Sequence, residues 1–180
     1  MRLESSSSVL VVIDIQGKLS RIVHQSELMI KNTSILIQGM KALGVPVLVT
    51  EQYPQGIGRT IDEIAVLVQG DPLFEKDSFS CCGLDTFNVA LQNLGRKQIL
   101  LCGIETHVCV FQTAMDLVNA GYEVHLVTDA VSSRTKENRD LAIAKMQSLG
   151  VVPTGTEMAL FELLKYSNAE KFRTISKLVR

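Results

Sequence analysis

The sequence lacks the features that mark membrane-spanning and exported proteins. No apolar run in its 180 residues approaches the ~20 residues that cross a bilayer, which argues against a protein embedded in a membrane. The N-terminus has no apolar segment of the length found in signal peptides, and its run of four serines is typical of a flexible segment. We therefore expect residues 1–7 to form a short flexible lead-in and the protein to be cytoplasmic.

An excess of charge of either sign is also absent. The chain has 18 basic and 19 acidic side chains, which are interleaved without a basic stripe or an acidic tail. Proteins that bind nucleic acid or an anionic membrane surface need a concentrated positive patch. The charge balance therefore argues against both kinds of partner.

Cysteine and histidine are too few and too scattered for a disulfide framework or a zinc site. No CxxC motif occurs, and we expect free thiols at Cys81, Cys82, Cys102 and Cys109. A glycine-rich phosphate loop is missing as well, since the first apolar run is followed by Asp-Ile-Gln-Gly-Lys at residues 14–18. The sequence therefore predicts no metal ion and no cofactor, and it disfavours a nucleotide-binding, flavodoxin-like protein.

What the sequence does contain is an alternation of short apolar runs and helical stretches. The runs are rich in Val, Ile and Leu, lack the alternation of half-exposed strands, and cover 9–13, 45–49, 73–74, 99–102, 124–127 and a segment starting at 151. Helical periodicity is found at 28–43, 61–68, 87–94, 108–118 and 141–149, each followed closely by glycine. This order is typical of βαβ units, so we expect one α/β domain over residues 1–180, with helices on both faces of a parallel sheet. Residues 166–180 are interpreted as a C-terminal helix that packs on the domain or on another subunit.

Chemically useful residues follow several of the apolar runs. Ligands of open α/β sheets bind beyond the carboxyl ends of the strands. Asp14 follows the first run, Lys76 the third and Cys109 the fourth, so the sequence predicts that these three side chains converge at one edge.

Each of the three residues also has a purely structural interpretation. Cys109 lies in an apolar stretch where a buried, inert cysteine is common. Alternatively, Thr106 caps a helix whose first turn, together with the Lys76 ammonium, lowers the thiol pKa and favours a nucleophilic thiolate. The structural interpretation of Lys76 is a lysine that is simply solvated at the surface. Asp14 is either a helix cap or the base that takes the cysteine proton.

The residues together resemble the isochorismatase-like cysteine hydrolases. The resemblance rests on Val-Val-Ile-Asp-Ile-Gln at residues 11–16, on Lys76, and on Gly-Ile-Glu-Thr-His-Val-Cys-Val at residues 103–110, and it extends over residues 8–164. It implies a three-layer α/β/α fold with a six-stranded parallel sheet, and an Asp-Lys-Cys triad that acts on a C–N bond. It also implies a homo-oligomer whose subunits complete the pocket.

The same resemblance implies an oxyanion site next to the cysteine. A cis peptide bond is expected between Ile104 and Glu105, and the backbone N–H groups of Glu105 and Cys109 are expected to hold the oxyanion.

Two departures from the family narrow the expected reaction. The nicotinamidases carry an aspartate and two histidines that bind a metal after the second strand, whereas this chain has Glu-Gln-Tyr-Pro-Gln-Gly at residues 51–56. The isochorismatases, which cleave a vinyl ether, lack the cysteine that is present here as Cys109. The chain is most similar to the small, metal-free isochorismatase-domain proteins.

Two functional hypotheses follow from these observations. The first is a cysteine hydrolase that cleaves an amide-type bond of a small molecule through a thioester, with Gln16, Gln52, Tyr53 and Phe79 lining the pocket. The second is a non-catalytic binding or scaffold protein that retains the fold, because a fold alone does not establish catalysis.

Overall fold

Residues 2–180 are described by a computed structural model, in which six parallel strands form one sheet. The strands are β1 (Ser8–Ile13), β2 (Val47–Gln52), β3 (Leu73–Lys76), β4 (Gln98–Ile104), β5 (Glu123–Ser132) and β6 (Val152–Thr154). Their order across the sheet is β3-β2-β1-β4-β5-β6, and all neighbouring pairs are parallel. The predicted strands and the predicted sheet are therefore confirmed.

The helices lie between the strands and after the last one. They are α1 (Leu19–Ile22), α2 (Ser26–Ala42), α3 (Pro54–Ile57), α4 (Asp62–Ala65), α5 (Asp85–Asn93), α6 (Phe111–Asn119), α7 (Lys136–Ser148), α8 (Thr156–Leu164) and α9 (Phe172–Leu178). A 3₁₀ turn spans Cys81–Gly83, and a single π-helical turn spans Thr106–Val110. No helix within residues 2–180 is both long enough and apolar enough to cross a membrane.

The central strand β1 shows why the fold has three layers. All six of its residues are buried, and successive side chains point to opposite faces of the sheet. Leu10 and Val12 pack into a core shared with α2, α8 and α9. Val9, Val11 and Ile13 pack into a second core shared with α5, α6 and α7. The absence of alternation in the sequence therefore reflects burial on both faces.

Gly103 allows β4 and β1 to approach closely at the edge where the strands end. It pairs with Ile13, and its φ of +114° lies in a region that side chains disfavour. A Cβ atom at this position would lie 2.0 Å from the carbonyl oxygen of Ile13. Only glycine fits here without moving one of the two strands.

The two ends of the chain differ from the sequence interpretation. Leu3 is fully buried, its N–H donates to Glu162, and the N–H of Glu4 donates to Gln98. Leu3 and Glu4 are therefore held against the domain, which corrects the expectation of a flexible lead-in over residues 1–7, of which residue 1 lies outside the described residues. At the other end the helix covers only Phe172–Leu178 and packs against α2 through the buried Ile175. The preceding helix α8 was not predicted.

Candidate active site

The strand order brings the three candidate residues together. Lys76 is the last residue of β3, Asp14 follows β1, and Cys109 lies in the π-turn that follows β4. Because β2 and β1 lie between β3 and β4, the carboxyl ends of these strands form one continuous edge. Lys76 Nζ lies 2.8 Å from Asp14 Oδ2 at that edge.

Both carboxylate oxygens of Asp14 accept hydrogen bonds. Thr50 donates its hydroxyl to Asp14 Oδ1 at 2.6 Å, and Lys76 donates to Oδ2. The backbone of Asp14 is left-handed, with φ of +52°, a conformation that aspartate adopts more readily than most residues. No role for Thr50 was predicted from the sequence, because its contact with Asp14 depends on the pairing of β2 with β1 next to Ile13.

Lys76 is a buried lysine whose charge is compensated by protein groups. Its side chain is 1% exposed. Besides Asp14, the ammonium donates to Gln52 Oε1 at 2.8 Å and to the carbonyl oxygens of Ser78 and Phe79 at 3.1 and 3.0 Å. Burial of a charged group is costly unless it is paired and hydrogen-bonded, and this site supplies both conditions. A solvated surface lysine is therefore excluded.

Cys109 lies in the π-turn, where the hydrogen bonds differ from those of an α-helix. The carbonyl oxygen of Glu105 accepts from Val110, five residues later, at 3.3 Å, and not from Cys109, four residues later. The Cys109 N–H is thus released from the partner that an α-helical turn would give it. Thr106 is not the N-cap, because Glu105 occupies that position, and Thr106 Oγ1 has no partner among residues 2–180. The expectation of a Thr106 cap is wrong.

The charge state of Cys109 differs from the sequence expectation. The pKa of its thiol is raised to about 12, and burial is the largest cause. The nearby Asp14 carboxylate contributes to this increase in pKa, and the positive charge of Lys76 opposes it. Cys109 is therefore a thiol at neutral pH, and it lines the same cavity as Asp14. Lys76 does not overcome the burial, because its charge is already compensated by Asp14.

The residue pair Ile104 and Glu105 forms the wall beside the cysteine. Their peptide bond is cis, as the resemblance implies. The Glu105 side chain turns toward Arg134, whose backbone N–H and Nε both donate to Oε1 at 3.0 Å.

A cavity of about 160 Å³ opens beside Asp14 and Cys109. Three of the predicted pocket residues, Gln16, Gln52 and Phe79, lie in its wall. Ile104 and Glu105, which were expected beside the cysteine, also lie in the wall, and the sequence analysis missed three further wall residues, Leu19, Ile57 and Val108. Most of these are ordinary apolar residues of loops and turns, which carry no sequence signal of their own.

Tyr53 lies outside the cavity, which corrects its prediction as a pocket residue. Its side chain is 54% exposed, and its backbone is left-handed, with φ of +34°. The ring covers Gly56, where an added Cβ would lie 2.4 Å from a ring carbon. Tyr53 therefore packs on its own helical turn.

Glu51, in the segment where the resemblance would place metal ligands, is a structural carboxylate. Glu51 accepts from the N–H and the hydroxyl of Thr60, both at 2.7 Å, and from Arg59 at 2.8 Å. Its oxygens already have donors as partners. Within residues 2–180, no group of three or more His, Cys, Asp or Glu side chains is arranged to hold a metal ion.

The remaining cysteines are free thiols. Cys81 lies close to the site, with its sulfur 3.8 Å from the hydroxyl of Thr50. Burial raises the pKa of Cys81 to about 12 and that of Cys82 to about 11, and it raises the pKa of the fully buried Cys102 as well. Thiols with raised pKa values are poor nucleophiles unless a base removes the proton.

Comparisons with known proteins give a consistent result. The model of the isochorismatase domain matches residues 8–158. The chain is 40% identical over 183 residues to the secreted isochorismatase effector Isc1 of Phytophthora sojae, covering 99% of this chain and 87% of that protein. The structure of the MAR1 ribonuclease from Caenorhabditis elegans superposes with a TM-score of 0.94 at 34% identity, covering 99% and 92% of the two chains. The YcaC gene product of Escherichia coli, an octameric hydrolase of unknown specificity, has a TM-score of 0.94 at 21% identity, covering 99% and 89%, and shows a shared fold alone.

Proposed function

This chain belongs to the isochorismatase family, and we propose that it is a hydrolase that cleaves a C–N bond of a small amide through Cys109. The observation that carries the proposal is the position of one carboxylate. Asp14 and Cys109 both line the cavity, the Asp14 carboxylate raises the pKa of the Cys109 thiol, and the same carboxylate accepts from the Lys76 ammonium. A nucleophile within hydrogen-bonding reach of a base that is itself oriented by a third group is the arrangement of nucleophilic catalysis.

In the first half of the reaction Asp14 acts as a base and then as an acid. It takes the proton of Cys109, and the thiolate attacks the carbonyl carbon of the amide. The N–H groups of Glu105 and Cys109 stabilise the oxyanion of the tetrahedral intermediate. The C–N bond then breaks, and the leaving amine receives the proton from Asp14. A thioester remains on Cys109.

In the second half, water takes the place of the amine. Asp14 removes a proton from water, which attacks the thioester and releases the carboxylic acid, while the sulfur regains a proton from Asp14. Lys76 positions Asp14 throughout and compensates its charge, because its ammonium has four protein acceptors and no freedom to leave the site.

Ribonuclease activity, for which the C. elegans protein is named, has less support in the site. RNA binding depends on cationic side chains that contact phosphates. The two ionisable carboxyl groups of the cavity wall are Asp14 and Glu105, and the nearby Lys76 ammonium already has protein partners. Cleavage of a labelled RNA by the parent protein, lost in Cys109→Ala, would nevertheless establish it.

The comparisons also bear on the oligomeric state and the cellular location, which are both proposals. We expect a homo-oligomer, because the E. coli protein of the same fold is octameric, and sedimentation velocity measures the number of subunits. A cytoplasmic location stays a prediction, since the P. sojae relative is a secreted effector.

The test of the hydrolase is Cys109-dependent release of ammonia from a panel of small primary amides. Cys109→Ala is compared with Cys82→Ala, which removes a thiol outside the cavity wall. We expect the first variant to abolish turnover and the second to retain it. Ammonia release that survives Cys109→Ala would refute the mechanism. No turnover by the folded parent protein on any amide would favour the binding or scaffold protein.

A further inference from the structure

The side-chain amides of the two glutamines in the cavity wall are hydrogen-bonded to other protein groups. Gln16 Nε2 donates to the carbonyl oxygens of Gln52 and Gly58 at 3.0 and 2.6 Å, and its Oε1 accepts from the Gln52 N–H at 2.7 Å. The Gln52 amide is held between the carbonyl oxygen of Asp77 and the Lys76 ammonium, both at 2.8 Å. These side chains shape the cavity, and a substrate that relied on them would have to break existing hydrogen bonds.

The carboxylates of the wall have their own cations. Asp14 is paired with Lys76, and Glu105 is paired with Arg134. Within residues 2–180, none of the residues that line this cavity is Lys, Arg or His. The wall thus offers no counter-ion to an anionic substrate and no unpaired carboxylate to a cationic one.

The rest of the wall is apolar and the space is small. It is formed by the side chains of Leu19, Ile57, Phe79, Ile104 and Val108. The volume of about 160 Å³ is close to the ~150 Å³ of an apolar cavity that holds benzene. A charged or strongly polar group placed here would lose its hydration without gaining partners.

We propose, on the premise that the proposed function holds, that the substrate is a small uncharged amide whose acyl group is apolar and no larger than about a benzene ring. The scissile carbonyl lies at Cys109 and the acyl group fills the space beside Phe79 and Val108. By the same argument, a second polar group in the acyl part lowers the preference for an amide, and a charged group lowers it further.

A series of four amides of nearly equal shape tests this substrate class. The reference compound is 3-methylbutanamide, which carries an isopropyl group. This group is replaced by a carboxamide in malonamide, by a carboxylate in malonamate and by an amidinium in malonamamidine. We expect kcat/KM to be highest for 3-methylbutanamide, about 10-fold lower for malonamide and at least about 100-fold lower for the two charged amides. Benzamide should be accepted, and 2-naphthamide should not.

Binding is measured separately, so that substrate class and catalysis can fail independently. Saturation-transfer NMR on Cys109→Ala protein reports which amides bind without turnover. Preferential binding of 3-methylbutanamide without any Cys109-dependent hydrolysis by the parent would refute the proposed function and support the apolar pocket. Hydrolysis of malonamate or malonamamidine as fast as 3-methylbutanamide would support the function and overturn the substrate class.

A charge placed in the wall should shift the preference. Ile57 is 37% exposed, so Ile57→Lys introduces a cation at the cavity without burying it completely. We expect the ratio of kcat/KM for malonamate to that for 3-methylbutanamide to rise at least about 10-fold. Val66→Lys, at an exposed residue outside the cavity wall, is the matched control and should leave the ratio unchanged. An unchanged ratio in Ile57→Lys would overturn this location of the acyl group.

Discussion

Lys76 Nζ lies 2.8 Å from Asp14 Oδ2, and the two side chains are 1% and 5% exposed. Two opposite charges removed from water in this way depend on each other, because either one alone would be a buried and uncompensated ion. The pair therefore stabilises the edge of the sheet only as a unit. The same pair places a carboxylate next to a thiol whose pKa is raised, and this arrangement is the basis of the proposed chemistry.

The first prediction concerns the stability of this pair. Lys76→Met leaves Asp14 buried without its cation, and we expect the free energy of unfolding to fall by about 3–5 kcal/mol. Urea denaturation at pH 7 measures the loss. Lys31→Met, at an exposed position on α2, is the control and should change stability little. A loss of stability in Lys76→Met no larger than in the control would mean that the ion pair is not buried as described.

The second prediction separates the reactivity of Cys109 from its catalytic use. The negative charge of Asp14 raises the pKa of Cys109, so Asp14→Asn should lower that pKa and increase the thiolate fraction at pH 9. Alkylation of Cys109 by iodoacetamide should therefore become several-fold faster. Hydrolysis of small amides should fall at least about 100-fold, because the base is lost.

Asp116→Asn provides the matched control for that measurement. Asp116 raises the pKa of Cys82 and is not among the groups that shift the pKa of Cys109. It should accelerate alkylation of Cys82 and leave that of Cys109 unchanged, as peptide mass spectrometry can resolve. Slower alkylation of Cys109 in Asp14→Asn would contradict the direction of the pKa shift.

Much of the fold could be predicted from the sequence because burial on both faces leaves a clear pattern. The six apolar runs became six strands, and the residues that follow them converge because parallel strands end at the same edge. Helix α8 was missed because its sequence, Thr-Glu-Met-Ala-Leu-Phe-Glu-Leu-Leu, follows β6 after only one residue. Residues 2–7 were misjudged because local polarity does not reveal that Leu3 reaches a distant core.

The candidate site was predicted in its residue types more fully than in its charge states. Asp14, Lys76 and Cys109 are distinctive residue types placed after strands. The protonation of Cys109 depends instead on burial, on the Asp14 carboxylate and on the Lys76 ammonium, and all three require tertiary contacts. The π-turn is a local shift of hydrogen bonds from Cys109 to Val110, and neither residue type signals it.

The third prediction tests the close approach of β4 and β1. Gly103→Ala should reduce stability by several kcal/mol, because its Cβ would collide with the carbonyl oxygen of Ile13. Gly95→Ala is the matched control, since Gly95 also has a positive φ but no atom lies within 4 Å of its added Cβ. The control should lose only about 1 kcal/mol from backbone strain. Thermal and urea unfolding measure both losses. If Gly103→Ala lost no more stability than Gly95→Ala, the close approach of the two strands would be contradicted.

The fourth prediction concerns stability at alkaline pH. Burial raises the pKa of Cys102, so the folded protein keeps this proton at a pH where the unfolded chain has lost it. The resulting stability is complete below the pKa of ~8.5 of a free thiol and decreases as the pH rises above it. Between pH 9.5 and 11 the free energy of unfolding of the parent should fall more steeply than that of Cys102→Ala. The expected difference is about 1.4 kcal/mol per pH unit, and parallel pH profiles would show that Cys102 is not protected.

The covalent intermediate on Cys109 is the most direct test of the central claim. The protein is mixed with 3-methylbutanamide, the reaction is quenched in acid during turnover, and the peptide that contains Cys109 is analysed by mass spectrometry, with and without hydroxylamine as a trap. We predict a 3-methylbutanoyl group on Cys109 that is absent in Cys109→Ala and that hydroxylamine converts to the free hydroxamate. Turnover of the amide with no acyl group on Cys109 and no hydroxamate would contradict the thioester mechanism.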